Sequence, residues 1–208
     1  LVDRDGSNRR RLTDNRRAGS PTFSPDGTKL AFTASSGGTD NIYVLDLATG
    51  REVRLTDYHT GVRLSGLRWH PTQNEIVFDR HLQGGYREIA VIDVESRTIE
   101  PVTSGTSDDR DPVWSPDGEQ IAYTSLRDDV PNVFIYDRSG DGHHRVTAFV
   151  TGAEARDWIL ADSASAAKLD SLEQIGSRRT DAQADSIAAG RILITSQVTK
   201  TGDRAYLI

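Results

Sequence analysis

Three stretches of this chain repeat one four-part pattern at a nearly fixed interval. A turn word reads Phe23-Ser24-Pro25-Asp26-Gly27, then in eroded form Trp69-His70-Pro71-Thr72-Gln73, then Trp114-Ser115-Pro116-Asp117-Gly118. Phe23 to Trp69 is 46 residues and Trp69 to Trp114 is 45. A second word keeps the same beat: Arg54-Leu55-Thr56-Asp57, Pro101-Val102-Thr103-Ser104 and Arg145-Val146-Thr147-Ala148. A self-similar period of about 40–50 residues marks an array of supersecondary units, each burying its apolar face against a neighbour.

Each unit reads as four short strands. In the first copy Pro21-Thr22-Phe23 stops at Pro25-Asp26-Gly27, where proline presets φ and glycine admits a permissive backbone. Lys29 to Ala34 and Asn41 to Leu47 are apolar runs bounded by turn residues, and Glu52 to Thr56 closes the unit. Four antiparallel strands at this period match a β-propeller blade. The predicted fold is therefore all-β, with blades over 19–57, 65–104 and 110–148. Phe23, Trp69 and Trp114 occupy equivalent places, which assigns them to packing between neighbouring blades.

The pairing of Ser-Pro-Asp-Gly with a following Leu30-Ala31-Phe32 or Ile121-Ala122-Tyr123, then Ile42-Tyr43-Val44-Leu45-Asp46 and a closing Arg54-Leu55-Thr56, resembles the TolB-type propeller repeat. The resemblance covers about residues 1–148. It implies a propeller, usually of six or seven blades, in the bacterial periplasm or outside the cell. Similar blades also accompany the catalytic domain of prolyl-oligopeptidase-like peptidases, so the repeat names a scaffold and not an activity.

The two ends are predicted to depart from the repeat. Leu1 to Asp14 reads as the end of a third strand, an Asp-Gly turn and a fourth strand, the tail of one blade. Residues 155–208 read as a divergent blade, with Arg156 to Leu160, Arg191 to Ser196 and Asp203 to Ile208 as strands. Between them, 161–190 reads as a short helical insertion, with Leu169, Leu172 and Ile175 on helical spacing. Late strands plus the early fourth strand would make one blade shared between the termini of a small ring; a piece of a larger propeller is the other reading, and the favoured one. The absence of methionine, even at position 1, reads as a processed or partial product.

Composition removes several function classes. The chain has 208 residues and a formal net charge of -6, which argues against a general nucleic-acid surface. Arg9-Arg10-Arg11, with Arg16-Arg17 behind, decorates a hairpin turn and its following loop. No cysteine occurs, so disulfides, thiolate metal sites and thiol nucleophiles are excluded. No stretch reaches the length of a membrane span. No Gly-x-Ser-x-Gly elbow occurs, so the chain reads as non-enzymatic, with no cofactor. Asp137 to His144 mixes carboxylates and imidazoles but aligns with the hairpin turns of the other copies, and is read as a turn and not a metal site.

Topology points to one end of the blades. The loop before each first strand and the loop joining second to third strands emerge on the same face. There the candidate partner-binding residues are Tyr58, His59, Arg80, His81, Tyr86, Arg87, Arg110, Arg127 and Asp128. Aromatic and arginine side chains are favoured at contact hot spots. The expected partner is a protein: an envelope or membrane-complex component, or the remainder of a longer chain. The rival reading is an accessory, substrate-gating propeller of a multidomain hydrolase. Small-ligand binding in the channel is a third, without a distinctive constellation.

Overall fold

The computed structural model describes residues 1–2, 5–14, 16–104, 106–140, 142–150, 152–159, 191–196 and 204–207. The predicted helical insertion at 161–190 lies outside them.

The first blade is β1 (Arg17–Phe23), β2 (Lys29–Ser36), β3 (Thr39–Asp46) and β4 (Glu52–Arg54). The second is β5 (Arg63–Trp69), β6 (Glu75–His81), β7 (Arg87–Asp93) and β8 (Ile99–Pro101). The third is β9 (Asp109–Trp114), β10 (Gln120–Ser125), β11 (Asn132–Asp137) and β12 (Gly142–Arg145). A further sheet pairs β13 (Ala153–Ile159), β14 (Arg191–Ser196) and β15 (Arg204–Leu207) in that order. Every pairing is antiparallel and sequential, so each sheet is a meander. First strands run side by side, β1 against β5, β5 against β9 and β9 against β13, which places them innermost. Each carries a register shift, at Gly19/Thr22, Ser65/Arg68, opposite Ala122/Thr124, and at Ala155/Asp157. Ser20, Gly66 and Asp111 stand at three of these bulges with φ of 47°, 64° and 55°.

The core lies between blades. Ala31, Ile42 and Val44 of the first blade pack with Leu67, Trp69, Ile76 and Phe78 of the second. Val77, Ile89 and Val91 pack with Trp114, Ile121 and Tyr123 of the third. Val113, Ala122 and Val133 pack with Ala155 and Trp158 of the next sheet. Burying one such large side chain contributes about 1.5–3 kcal/mol.

Trp69 and Trp114 are buried as their repeat position predicts, but Phe23 is 48% exposed. The face beside it, with Leu30 and Phe32, lines a cleft of about 690 Å³ together with Leu1, Val2 and the segment Arg9 to Thr13. Leu1 and Arg10 exchange both backbone hydrogen bonds, at 2.8 and 2.7 Å, the geometry of an antiparallel pair.

The two sequence words have local physical jobs. In the turn word, Ser24 Oγ donates to Asp26 Oδ1 at 2.6 Å and accepts from Lys29 N at 2.9 Å. Ser115 and Asp117 repeat this at 2.5 Å, with Gln120 N on Ser115 Oγ at 2.9 Å. In the closing word, Thr56, Thr103 and Thr147 each accept a backbone N–H from the first half of a third strand, from Ile42, Ile89 and Val133 at 2.9, 3.0 and 2.9 Å.

Candidate functional site

Register places the loop residues relative to one another. The β2–β3, β6–β7 and β10–β11 connections and the loops leading into the next blade leave on the face that carries the candidate residues. Cross-strand partners at this end are Ala34 with Asn41, Arg80 with Glu88, and Ser125 with Asn132. One position inward are Thr33, Asp79 and Thr124. Small uncharged residues thus flank a charged middle blade.

In the outer two blades an asparagine ties the end of the closing word to the sheet. Asn41 Oδ1 accepts from Thr56 Oγ1 at 2.9 Å and Tyr58 N at 2.8 Å. Asn132 does the same for Thr147 and Phe149 at 2.9 and 3.0 Å. Glu88 replaces this amide in the middle blade. It accepts from Arg80 Nε at 2.7 Å, and Arg80 Nη1 reaches the Tyr58 hydroxyl at 3.1 Å.

Asp79 is 1% exposed and accepts from Ser65 Oγ at 2.6 Å. Arg87 Nε stands 3.7 Å from it, and the Asp111 N–H reaches its other oxygen at 3.4 Å. Burial pushes its carboxyl above the ordinary range, against the pull of Ser65 and Arg87. At the next junction Arg110 Nη2 pairs with Glu154 at 2.8 Å, joining β9 to β13.

Arg127 lies 4.1 Å over the Phe134 ring. Its Nε donates to Ser125 Oγ at 3.1 Å and its Nη2 to the Tyr123 hydroxyl at 2.8 Å. Tyr123 is fully buried and its phenol is pushed up to about 12 by that burial. The same hydroxyl meets His143 Nδ1 at 3.0 Å, and burial with nearby Arg127 pushes that imidazole down.

The nine candidate residues therefore divide. Tyr58, Arg80, Arg87 and Arg110 are half-buried and engaged in internal pairs. His59, His81, Tyr86, Arg127 and Asp128 are exposed. His59 sits 3.2 Å from Asp57, His81 Nε2 2.9 Å from Gly85 O, and Asp128 3.0 Å from Arg145. Tyr86, at 59% exposure, is the most exposed aromatic among the described residues. Sequence reasoning missed Asp79, Glu88 and Tyr123, and read His143, here in β12, only as part of a turn. Asp79 and Glu88 carry a readable signal, each being the one ionisable member of an otherwise small polar repeat set.

Residues 1–182 match the model of the TolB beta propeller domain. A curated "Protein TolB homolog" of Chlorobium chlorochromatii is 32% identical over 126 residues, covering 60% of this chain and 28% of that protein. An "Uncharacterized peptidase YuxL" of Bacillus subtilis is 30% identical over 113 residues, covering 50% of this chain and 16% of that protein. The chain thus spans under a third of the length of these curated relatives. The crystal structure of TolB from Acinetobacter baumannii superposes with a TM-score of 0.73 at 19% identity, covering 99% of this chain and 44% of that one. With its repeated words, meander blades and inter-blade core, the chain belongs to the TolB beta propeller domain family.

Proposed function

We propose that this chain is a non-enzymatic platform for protein contact, a TolB-like propeller in a periplasmic, extracellular or membrane-associated assembly. The observation that carries the reading is the state of Tyr86 and Arg127. Both are exposed on the loop face, and Arg127 is held in place from beneath by Phe134, Tyr123 and Ser125. A pre-positioned arginine and an exposed tyrosine lose little conformational freedom on binding, which suits them to anchor a partner. Tyr58, Arg80, Arg87 and Arg110 stiffen the ground around these anchors. Among the described residues no helix is long and apolar enough to cross a membrane.

Site-specific photo-crosslinking tests this in cells. A crosslinker at Tyr86 is expected to trap a discrete protein adduct, and one at Thr49, on the opposite face, is not. The combined Tyr86→Ala, Arg87→Ala and Arg127→Ala variant, crosslinked from His59, should lose the adduct. Retention of the adduct in that variant defeats the assignment.

The second reading is an accessory propeller beside a prolyl-oligopeptidase-like hydrolase domain, and the similarity to the Bacillus peptidase favours it. A Gly-x-Ser-x-Gly domain encoded in the same gene would select it.

A further inference from the structure

The closing word of the repeat contains an arginine that the middle blade lacks. Arg11 Nε donates to Thr13 O at 2.8 Å, Arg54 Nε to Thr56 O at 2.8 Å, and Arg145 Nε to Thr147 O at 2.6 Å. In the outer blades the guanidinium then finds a carboxylate, Asp57 at 2.8 Å and Asp128 at 3.0 Å. The equivalent middle residue is Pro101, which has no donor to offer. The Thr103 carbonyl, partner of that missing arginine, receives no hydrogen bond from the described residues. A cleft of about 420 Å³ opens at this place, bounded by Thr103, Ser104, Arg80, Glu88 and, from the third blade, His143.

We propose that this cleft seats an arginine side chain supplied by a protein partner. The proposal deepens the protein-contact reading and rests on it. The repeat defines what fills the space: a guanidinium whose Nε–H meets a threonine carbonyl in three copies and whose outer nitrogen meets a carboxylate in two of them. The middle blade keeps the carbonyl and places a carboxylate, Glu88, where its neighbours have Asn41 and Asn132. Arg80 occupies one side of Glu88, so the carboxylate would be shared between an internal and an incoming guanidinium. Arginine suits this geometry better than lysine, because only a guanidinium has an Nε–H donor beside a planar fork. The incoming side chain completes a local pattern that the scaffold builds for itself elsewhere.

The test is a titration of the isotope-labelled protein with the blocked tripeptide acetyl-Gly-Arg-Gly-amide, followed by amide chemical shifts. Saturable shifts at Thr103, Ser104 and Glu88 are expected, with roughly tenfold weaker binding for the lysine and citrulline counterparts. Pro101→Arg fills the space from within and should abolish the shifts. Glu88→Gln should weaken binding by roughly tenfold, and serves if Pro101→Arg does not fold. Absence of saturable shifts overturns the proposal, as does equal response to lysine or citrulline or unchanged binding in Glu88→Gln. Free arginine binding while the blocked peptide does not also overturns it, since the ligand would then be a small molecule. No partner protein enters the titration, so its failure is separable from failure of the crosslinking test.

Discussion

In the first and third blades the turn after the first strand is held by a serine and an aspartate, and in the second it is held by one imidazole. His70 Nδ1 accepts from Thr72 N and Gln73 N at 3.1 and 2.8 Å, the backbone work done elsewhere by Ser24 with Asp26 and by Ser115 with Asp117. With Nδ1 as acceptor, Nε2 carries the proton and donates to Gly118 O at 3.2 Å, in the third blade. The contrast recurs at Arg80, which reaches Tyr58, whereas Asp79 reaches Asp111 N much as its counterpart Thr124 accepts from Ala155 N at 2.9 Å. The Ser–Asp turn bonds stay within their own blade. The ionisable residues couple the middle blade to both neighbours, and the repeat position becomes a joint.

The contrast is broken most severely at Gly118. An added Cβ there would lie 2.1 Å from His70 Nε2, whereas at the equivalent Gly27 it would meet nothing within 4 Å. Both glycines have positive φ, 80° and 69°, so both substitutions carry backbone strain. Gly118→Ala should cost on the order of 3 kcal/mol or more, against about 1 kcal/mol for Gly27→Ala. Urea denaturation of both variants and of His70→Ser/Gly118→Ala decides it. A double variant no more stable than Gly118→Ala removes the joint.

Asn132→Ala should follow, at about 2–3 kcal/mol, because it leaves a buried hydroxyl and backbone groups without their partner. Glu88→Ala, lacking that role, should cost less by denaturant midpoint. Equal losses would mean that Glu88 ties its loop as the asparagines do.

These expectations also mark what the sequence discloses. The beat of 46 and 45 residues locates the blades, since each word encodes its own turn and strand cap from adjacent residues. The burial of Trp69 and Trp114 follows from their place in the word. Phe23 does not follow: it is 48% exposed, and the cleft lined by its cross-strand partner Leu30 is walled by Leu1, Val2 and Arg9 to Thr13. His70 looks like erosion in the sequence because its acceptor lies 48 residues away. Residue type marked Tyr58, Arg80, Arg87 and Arg110 as surface candidates. Glu88, Asp79 and Glu154, which occupy the three arginines, come from other strands, and that pairing is invisible without register.

Gly66 offers a gentler version of the first test. An added Cβ would stand 2.7 Å from Asp79 Oδ2 and 3.0 Å from Pro112 Cδ, while Ser20 and Asp111 carry side chains at the matching bulges opposite Thr33 and Thr124. Gly66→Ala should cost about 2 kcal/mol, and Asp79→Thr should recover part of it. Strict additivity in thermal or urea unfolding would separate the two positions.

The smallest effect is in pH, where the two off-beat residues pull in opposite senses. Burial lowers the His70 pKa below its ordinary 6.5, so the folded state holds the proton less tightly than the unfolded chain. Its contribution is complete above about pH 6.5 and is lost as pH falls from there through the folded pKa. Burial raises Asp79 above 3.8, so ionising it disfavours folding, and that penalty fades as pH falls through the folded pKa towards 3.8. Neither slope can exceed about 1.4 kcal/mol per pH unit for one proton. Below pH 6.5, stability of His70→Ser should fall less steeply than that of the parent, and stability of Asp79→Thr more steeply. Superimposable pH profiles for all three proteins would show that the middle blade's charges do not couple folding to protons.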